Sequence, residues 1–227
     1  AIRNLVAVDT PPQVIMTLMR CNADQVEAMV HLAERLGASS VKLNVLQPTA
    51  RGETLHQADG ALGVPELIQL NRHVHKRFAP ATKLRLIFDV PLAFRPMSRI
   101  ASPGGCGVCG ILGILGVITS GHYALCGIGE HVPELVFGVV GEGRLERVWN
   151  ENSTLGDLRL GLPDRLRGIC AQCLMKHLCL GTCIAQNYYR NGILWSPFWF
   201  CEQAKETNLF PESRLIPRQP IHDIEGL

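Results

Sequence analysis

The sequence predicts an α/β chain of two unlike parts. The first is half of a partial (β/α) barrel over residues 1–100, and the second is a small, loop-rich α+β unit over residues 101–227. Three observations carry that reading. Apolar runs of strand length alternate with runs at helical spacing as far as Val90. Beyond Pro96, glycine recurs at 104, 105, 107, 110, 113 and 116, a pattern that makes helix unfavourable. Eight of the nine cysteines fall after that change, between Cys106 and Cys201.

In chain order, residues 14–20 (Val-Ile-Met-Thr-Leu-Met-Arg) form a compact apolar run of strand length. Asn22 is a good helix N-cap, and Gln25 three residues later predicts a start like a capping box. Val26, Met29, Val30, Ala33 and Leu36 then recur at helical spacing until Gly37 supplies a stop. Residues 41–46 alternate as a strand and end before Pro48. Strand, helix and strand in succession make one βαβ unit, with parallel strands and a right-handed crossover.

A loop carrying Arg51 and Gly52 is expected next, then a second helix opening at Pro65. Its apolar face holds Leu67, Leu70, Val74 and Phe78, and its basic face (Arg72, His73, Lys76, Arg77) is expected to be solvated. His73 and His75 diverge on a helix and make a poor metal pair. Residues 83–90 read as a third strand, giving roughly half the strands and helices that a closed barrel needs.

In the second part, residues 116–119, Ser120-Gly121 and residues 122–126 read as a hairpin with a tight turn, whose returning strand ends on Cys126. A further strand is expected over 135–140, a helical stretch to about Leu160, and a short helix from Cys201 to Leu209. The tail from Pro211 reads as an irregular strap.

Composition bounds the function. Hydrophobic residues make up 47% of the 227, with 22 glycines and 14 prolines, which describes a globular chain with a loop-rich part. A formal charge of +2 predicts no general affinity for nucleic acid or acidic lipid. The longest apolar run, 111–118, is interrupted by glycine and too short to span a bilayer. No signal peptide is evident, so a cytoplasmic location is expected. The start at Ala1, without an initiator methionine, hints at a piece of a longer protein.

The cysteines carry the chemistry. Cys170, Cys173, Cys179 and Cys183 follow the spacing Cx2Cx5Cx3C, and Cys201 comes after the aromatic run Trp195-Ser-Pro-Phe-Trp-Phe200. Cys106, Cys109 and Cys126 lie upstream, and Cys21 stands apart without an assigned role. Disulfides suit small secreted scaffolds and fit poorly here. Thiolates at this density read as metal ligands. Four-cysteine zinc knuckles are one solution. Two iron–sulfur clusters are the other, because eight cysteines make two complete sets of four.

Cys106 or Cys109, then Gly121-x4-Cys126, then the Cx2Cx5Cx3C stretch and Cys201, resemble the SPASM extension of peptide-modifying radical S-adenosylmethionine (radical SAM) enzymes. The match spans residues 106–201. The α/β part is similar to the second half of the partial barrel of that family. The resemblance implies two auxiliary [4Fe–4S] clusters with interleaved ligands. One would use Cys106, Cys109, Cys126 and Cys183, and the other Cys170, Cys173, Cys179 and Cys201. It also implies a peptide or protein substrate and an external electron donor. S-adenosylmethionine and a third [4Fe–4S] cluster would be present only in a complete enzyme, and Leu46 would be an apolar contact to adenine, assisted by Asn44 or Gln47.

The departures are informative. No CxxxCxxC loop is present, since Cys179-Leu-Gly-Thr-Cys183 continues to Gln186 where a third thiol is required. A glycine-rich methionine-binding segment is missing too. Sulfatase-maturing relatives carry an acidic residue directly after the cysteine of Gly-x4-Cys, and this chain has Gly127. The chain is therefore expected to be the C-terminal part of a radical SAM oxidoreductase, lacking the other barrel half and inactive alone. The rival is a zinc-stabilised binding module without catalysis. Arg165, Arg167 and Lys176 offer such a module only a small basic surface.

Overall fold

The computed structural model describes residues 1–102 and 107–217. A short helix, α1 (Ile2–Ala7), precedes the first strand, β1 (Gln13–Leu18). Helix α2 (Val26–Arg35) leads to β2 (Ser40–Val45), and α3 (Arg51–Gln57) and α4 (Val64–His73) lead to β3 (Arg85–Phe88). A π-helical turn, Val74–Phe78, and the turn α5 (Ala79–Ala81) extend α4. The three strands are parallel in the order β1-β2-β3, with Val14 opposite Val41 and Val41 opposite Leu86. The alternation expected from the sequence is present. It yields a three-stranded sheet, so the coarser description, mixed α/β, is what the structure shows.

One face of this sheet is dry. Leu18, Val41, Leu43, Val45, Leu86 and Phe88 are buried with Val26, Val30 and Ala33 of α2 and Val64, Leu67 and Ile68 of α4. Period two along the strands sends the alternate residues to the other face. There Ile15, Lys42 and Ile87 stand in one register row, and Ile15 is 57% exposed. An open face is unusual for parallel strands, which are ordinarily covered on both sides.

Two local expectations are corrected. Arg51 and Gly52 open α3 and are not loop. The chain folds back sharply before them, and a Cβ on Gly52 would lie 2.0 Å from the Gln47 carbonyl oxygen, so only glycine fits. Asn22 makes no capping box. Its Oδ1 instead accepts from the Met19 amide at 2.8 Å, closing the turn after β1, and α2 begins at Val26 after a single 3₁₀ turn.

Helix α6 (Met97–Ile100) follows the sheet. Strands β4 (Gly116–Val117), β5 (His122–Ala124) and β6 (Val136–Val139) form an antiparallel sheet in that order. The hairpin is as expected, with Gly121 at φ +78° in its turn. Cys126 lies just past β5. Helices α7 (Leu145–Glu151) and α8 (Ser153–Gly161) follow, with Asn152 Oδ1 accepting from the Leu155 amide as the N-cap of α8. The cysteine-dense stretch is helical turns, α9 (Gly168–Ala171) and α10 (Lys176–Cys179), before α11 (Ile184–Asn191) and α12 (Trp199–Glu206). The expected strap is present as far as residue 217, pairing Cys173 with Leu215 in an isolated bridge.

A single cluster of buried residues runs from Met16 through Leu125 and Leu158 to Phe210. Phe94 packs against it, with its ring edge-on to Phe200 at 5.1 Å and to Phe210 at 5.6 Å. No helix among the described residues is long and apolar enough to cross a membrane.

Candidate metal centre

Local chain geometry first decides where the thiols point. Between Cys179 and Cys183 the backbone takes three successive left-handed residues, Leu180 (φ +50°), Gly181 (φ +78°) and Thr182 (φ +61°). Such a run is strained for Leu and Thr, and it persists only where surrounding contacts enforce it. Leu166 and Ile184 close over Gly181, while Thr182 Oγ1 and Cys179 Sγ form a hydrogen bond at 3.0 Å. The reversal sends Cys179 and Cys183 to different neighbours.

Cys179 joins Cys170, Cys173 and Cys201 around one cavity, whose other walls are Pro91, Ala93, Leu166, Ile169, Met175 and Phe210, with Lys176 and Gly181. The cavity is narrow and lined mainly by apolar side chains. As it lies, the space is about the size of one water. The remaining set gathers elsewhere. Cys183 lies within electrostatic reach of Cys126 and Cys109, and Cys109 within reach of Cys126. Cys106 lies outside the described residues.

Backbone amides are aimed at sulfur. Phe198 N–H donates to Cys170 Sγ at 3.5 Å, and Met175 N–H to Cys173 Sγ at 3.3 Å. The amides of Gln186 and Ala185 face the Cys183 sulfur, and that of Ile111 faces Cys109. Such donors stabilise the charged form of a thiol and tune any iron held by it.

Burial works against that charge in the free protein. It pushes the Cys170 thiol up to about 12, with the neighbouring Cys179 and Cys173 adding to the rise. Cys183 is raised to about 11 by burial and then by Cys126 and Cys109. Cys201, buried with three other thiols beside it, is raised well above the ordinary range. Any cation binding these thiols would have to displace their protons.

Among the described residues, no group of three or more His, Cys, Asp or Glu side chains is close enough, as they lie, to hold one metal ion. The four thiols line the sides of a cavity and do not meet at a point. A single tetrahedral zinc needs its sulfurs about 2.3 Å from a common centre. A four-iron cluster spreads its ligated corners and tolerates sulfurs set farther apart.

A second feature adjoins the sheet. At the carboxyl ends of β1 and β2 an open cleft of about 980 Å³ is lined by Thr17, Met19, Leu46, Ala50, Arg51, Leu55 and His131, among others. Leu46 is therefore on a cleft wall, where ligands of α/β sheets commonly bind. Gln47 has other duties, with its amide on the Val45 carbonyl at 3.1 Å and its Oε1 accepting from Trp199 Nε1 at 3.2 Å. Asn44, opposite Thr17 on the open face, buries an Oδ1 with no hydrogen-bond partner among the described residues. Cys21 is exposed and lines neither the thiol cavity nor the cleft.

Tyr189 and Glu53 have no signal in sequence, because they are partners 136 residues apart. The aromatic run before Cys201 does carry a signal, and Trp195, Phe198, Trp199 and Phe200 are all buried. No protein-family model matches the chain, and none of the curated proteins searched matches it.

Proposed function

We propose that this chain is the auxiliary-cluster part of a radical SAM enzyme that modifies a peptide or protein, holding two [4Fe–4S] clusters. One observation carries the reading: Cys170, Cys173, Cys179 and Cys201, drawn from 32 positions of sequence, line one apolar cavity, while Cys183 departs to Cys109 and Cys126. That partition is in keeping with the interleaving that the resemblance to the SPASM extension implies. Bound clusters would supply one-electron transfer. The chain's own residues would exclude water through Phe198, Phe200 and Phe210 and donate amides to the sulfurs. Leu46, Arg51 and His131 would present a cleft wall to S-adenosylmethionine and substrate, whose remaining contacts would come from the missing barrel half and whose electrons would come from an external donor.

Anaerobic reconstitution tests the proposal. The expected result is a brown protein with about eight irons per chain. A colourless protein with stoichiometric zinc would overturn it in favour of the zinc-stabilised binding module. With excess S-adenosylmethionine and a reductant, the loaded chain should form no 5′-deoxyadenosine, because four-cysteine ligation leaves no open iron. Catalytic formation of that product would show that one cysteine is misassigned.

A further inference from the structure

The segment 46–57, which carries Leu46 and forms one wall of the cleft, is strained at its centre. Ala50 adopts φ +50°, ψ −127°, a region essentially restricted to glycine, and it persists only where neighbours enforce it. The neighbours come from the cysteine-rich part. Tyr189 Oη donates to Glu53 Oε2 at 2.7 Å, and the Ala50 amide faces the same hydroxyl. Trp199 Nε1 donates to Gln47 Oε1 at 3.2 Å. The Trp199 ring meets His56 edge-on at 5.6 Å, and His56 Nε2 reaches the Leu46 carbonyl oxygen at 2.9 Å.

The helices that carry these two aromatics are tied to the thiols. Tyr189 is on α11, whose N-cap is Cys183, and Trp199 opens α12, which contains Cys201 two residues later. Each helix thus joins a candidate ligand at one position to the strained wall at another.

We propose that Tyr189 and Trp199 are positioning residues through which filling of the two thiol sites orders the cleft wall 46–57. The inference rests on the cluster-binding reading above. Free thiols leave α11 and α12 held by packing and a few hydrogen bonds, whereas ligation would also fix Cys183 and Cys201 and hence restrain the two helices further. The tyrosine and tryptophan bonds carry that restraint to Glu53, Ala50, Gln47 and Leu46. Order at one site then favours binding at the other, and the coupling is reciprocal.

The test is amide hydrogen exchange of residues 46–57 in the full chain, metal-free and iron-reconstituted, read by mass spectrometry. Iron should slow exchange in this segment about tenfold, the size expected of a few ordinary hydrogen bonds. The double variant Tyr189→Phe, Trp199→Phe should take up the same iron and lose that increment. Gln47→Ala with Glu53→Ala, which breaks the same bonds from the cleft side, should lose it too. Leu43→Ala, a core change away from these contacts, should speed exchange generally yet keep the iron-dependent increment. Full iron uptake without slower exchange at 46–57 overturns the inference alone. Failure to take up iron overturns the cluster reading, and the same exchange experiment with bound zinc then decides the positioning role.

Discussion

The Tyr189 hydroxyl donates to the Glu53 carboxylate across 2.7 Å, joining residues 136 positions apart. With the Trp199–Gln47 bond it fastens a strained cleft wall to the helices that follow Cys183 and carry Cys201. Arg214 adds a third tie, donating to the Ala93 and Arg95 carbonyls from the strap that pairs with Cys173. The cysteine-rich part and the α/β part are thus joined by side-chain hydrogen bonds from Tyr189, Trp199 and Arg214.

Cysteine substitutions should separate the two sets from the odd thiol. Cys201→Ser removes one ligand of the cavity and should lower bound iron from about eight to about four per reconstituted chain. Cys21→Ser, at an exposed position that lines neither the thiol cavity nor the cleft, should leave the iron content unchanged. Iron analysis with the visible absorption spectrum reads both.

In the reduced, metal-free protein the thiols should react in a fixed order. Iodoacetamide attacks the thiolate, and burial pushes Cys170 up to about 12 and Cys183 to about 11. At about pH 8, exposed Cys21 should be alkylated well before Cys170, Cys183 and Cys201. Mass spectrometry of timed samples gives the order, and early labelling of Cys170 would show that the cavity opens readily.

Acid should weaken the cap of α4. Glu66 Oε2 accepts from the Gly63 amide at 2.7 Å, and Oε1 from Arg20 at 2.7 Å. The amide and then the guanidinium hold this carboxyl below its ordinary 4.5. A carboxyl depressed in the folded state adds stability above its unfolded value, and that stability is lost as pH falls through the folded value. Glu66→Gln should therefore cost up to about 1 kcal/mol near neutrality, a modest figure because both partners are largely solvated, and the deficit should vanish below the folded value. Urea unfolding at several pH values measures it.

Gly181 should resist replacement. Its φ is +78°, and an added Cβ would stand 3.0 Å from Leu166 Cδ2 and 3.1 Å from Ile184 Cδ1. Gly181→Ala should cost about 1–2 kcal/mol from the left-handed conformation alone. The crowding adds to this, and because the residue sets the reversal between Cys179 and Cys183, the variant should also lose iron faster to a chelator than the wild type.

Local sequence determined the repeating parts of this protein. Strand period, helical spacing and the stops at Gly37 and Pro48 suffice for the βαβ unit, because each depends on neighbours within a few residues. The cysteine spacing likewise marked the thiols out as a group, but only the fold parts Cys179 from Cys183 across a three-residue gap, because the left-handed run at 180–182 reverses the chain between them. Tertiary structure alone decided the rest. The Arg51 helix was hidden because its start depends on a backbone reversal around Ala50 that is unfavourable in isolation and is held by Tyr189 and Trp199 from another part of the chain. Gln47 reads as a free cleft residue until Trp199 is folded against it. The three-stranded sheet leaves Ile15 exposed, a degree of cover that no strand pattern encodes, because burial is set by what packs against a face and not by the face itself.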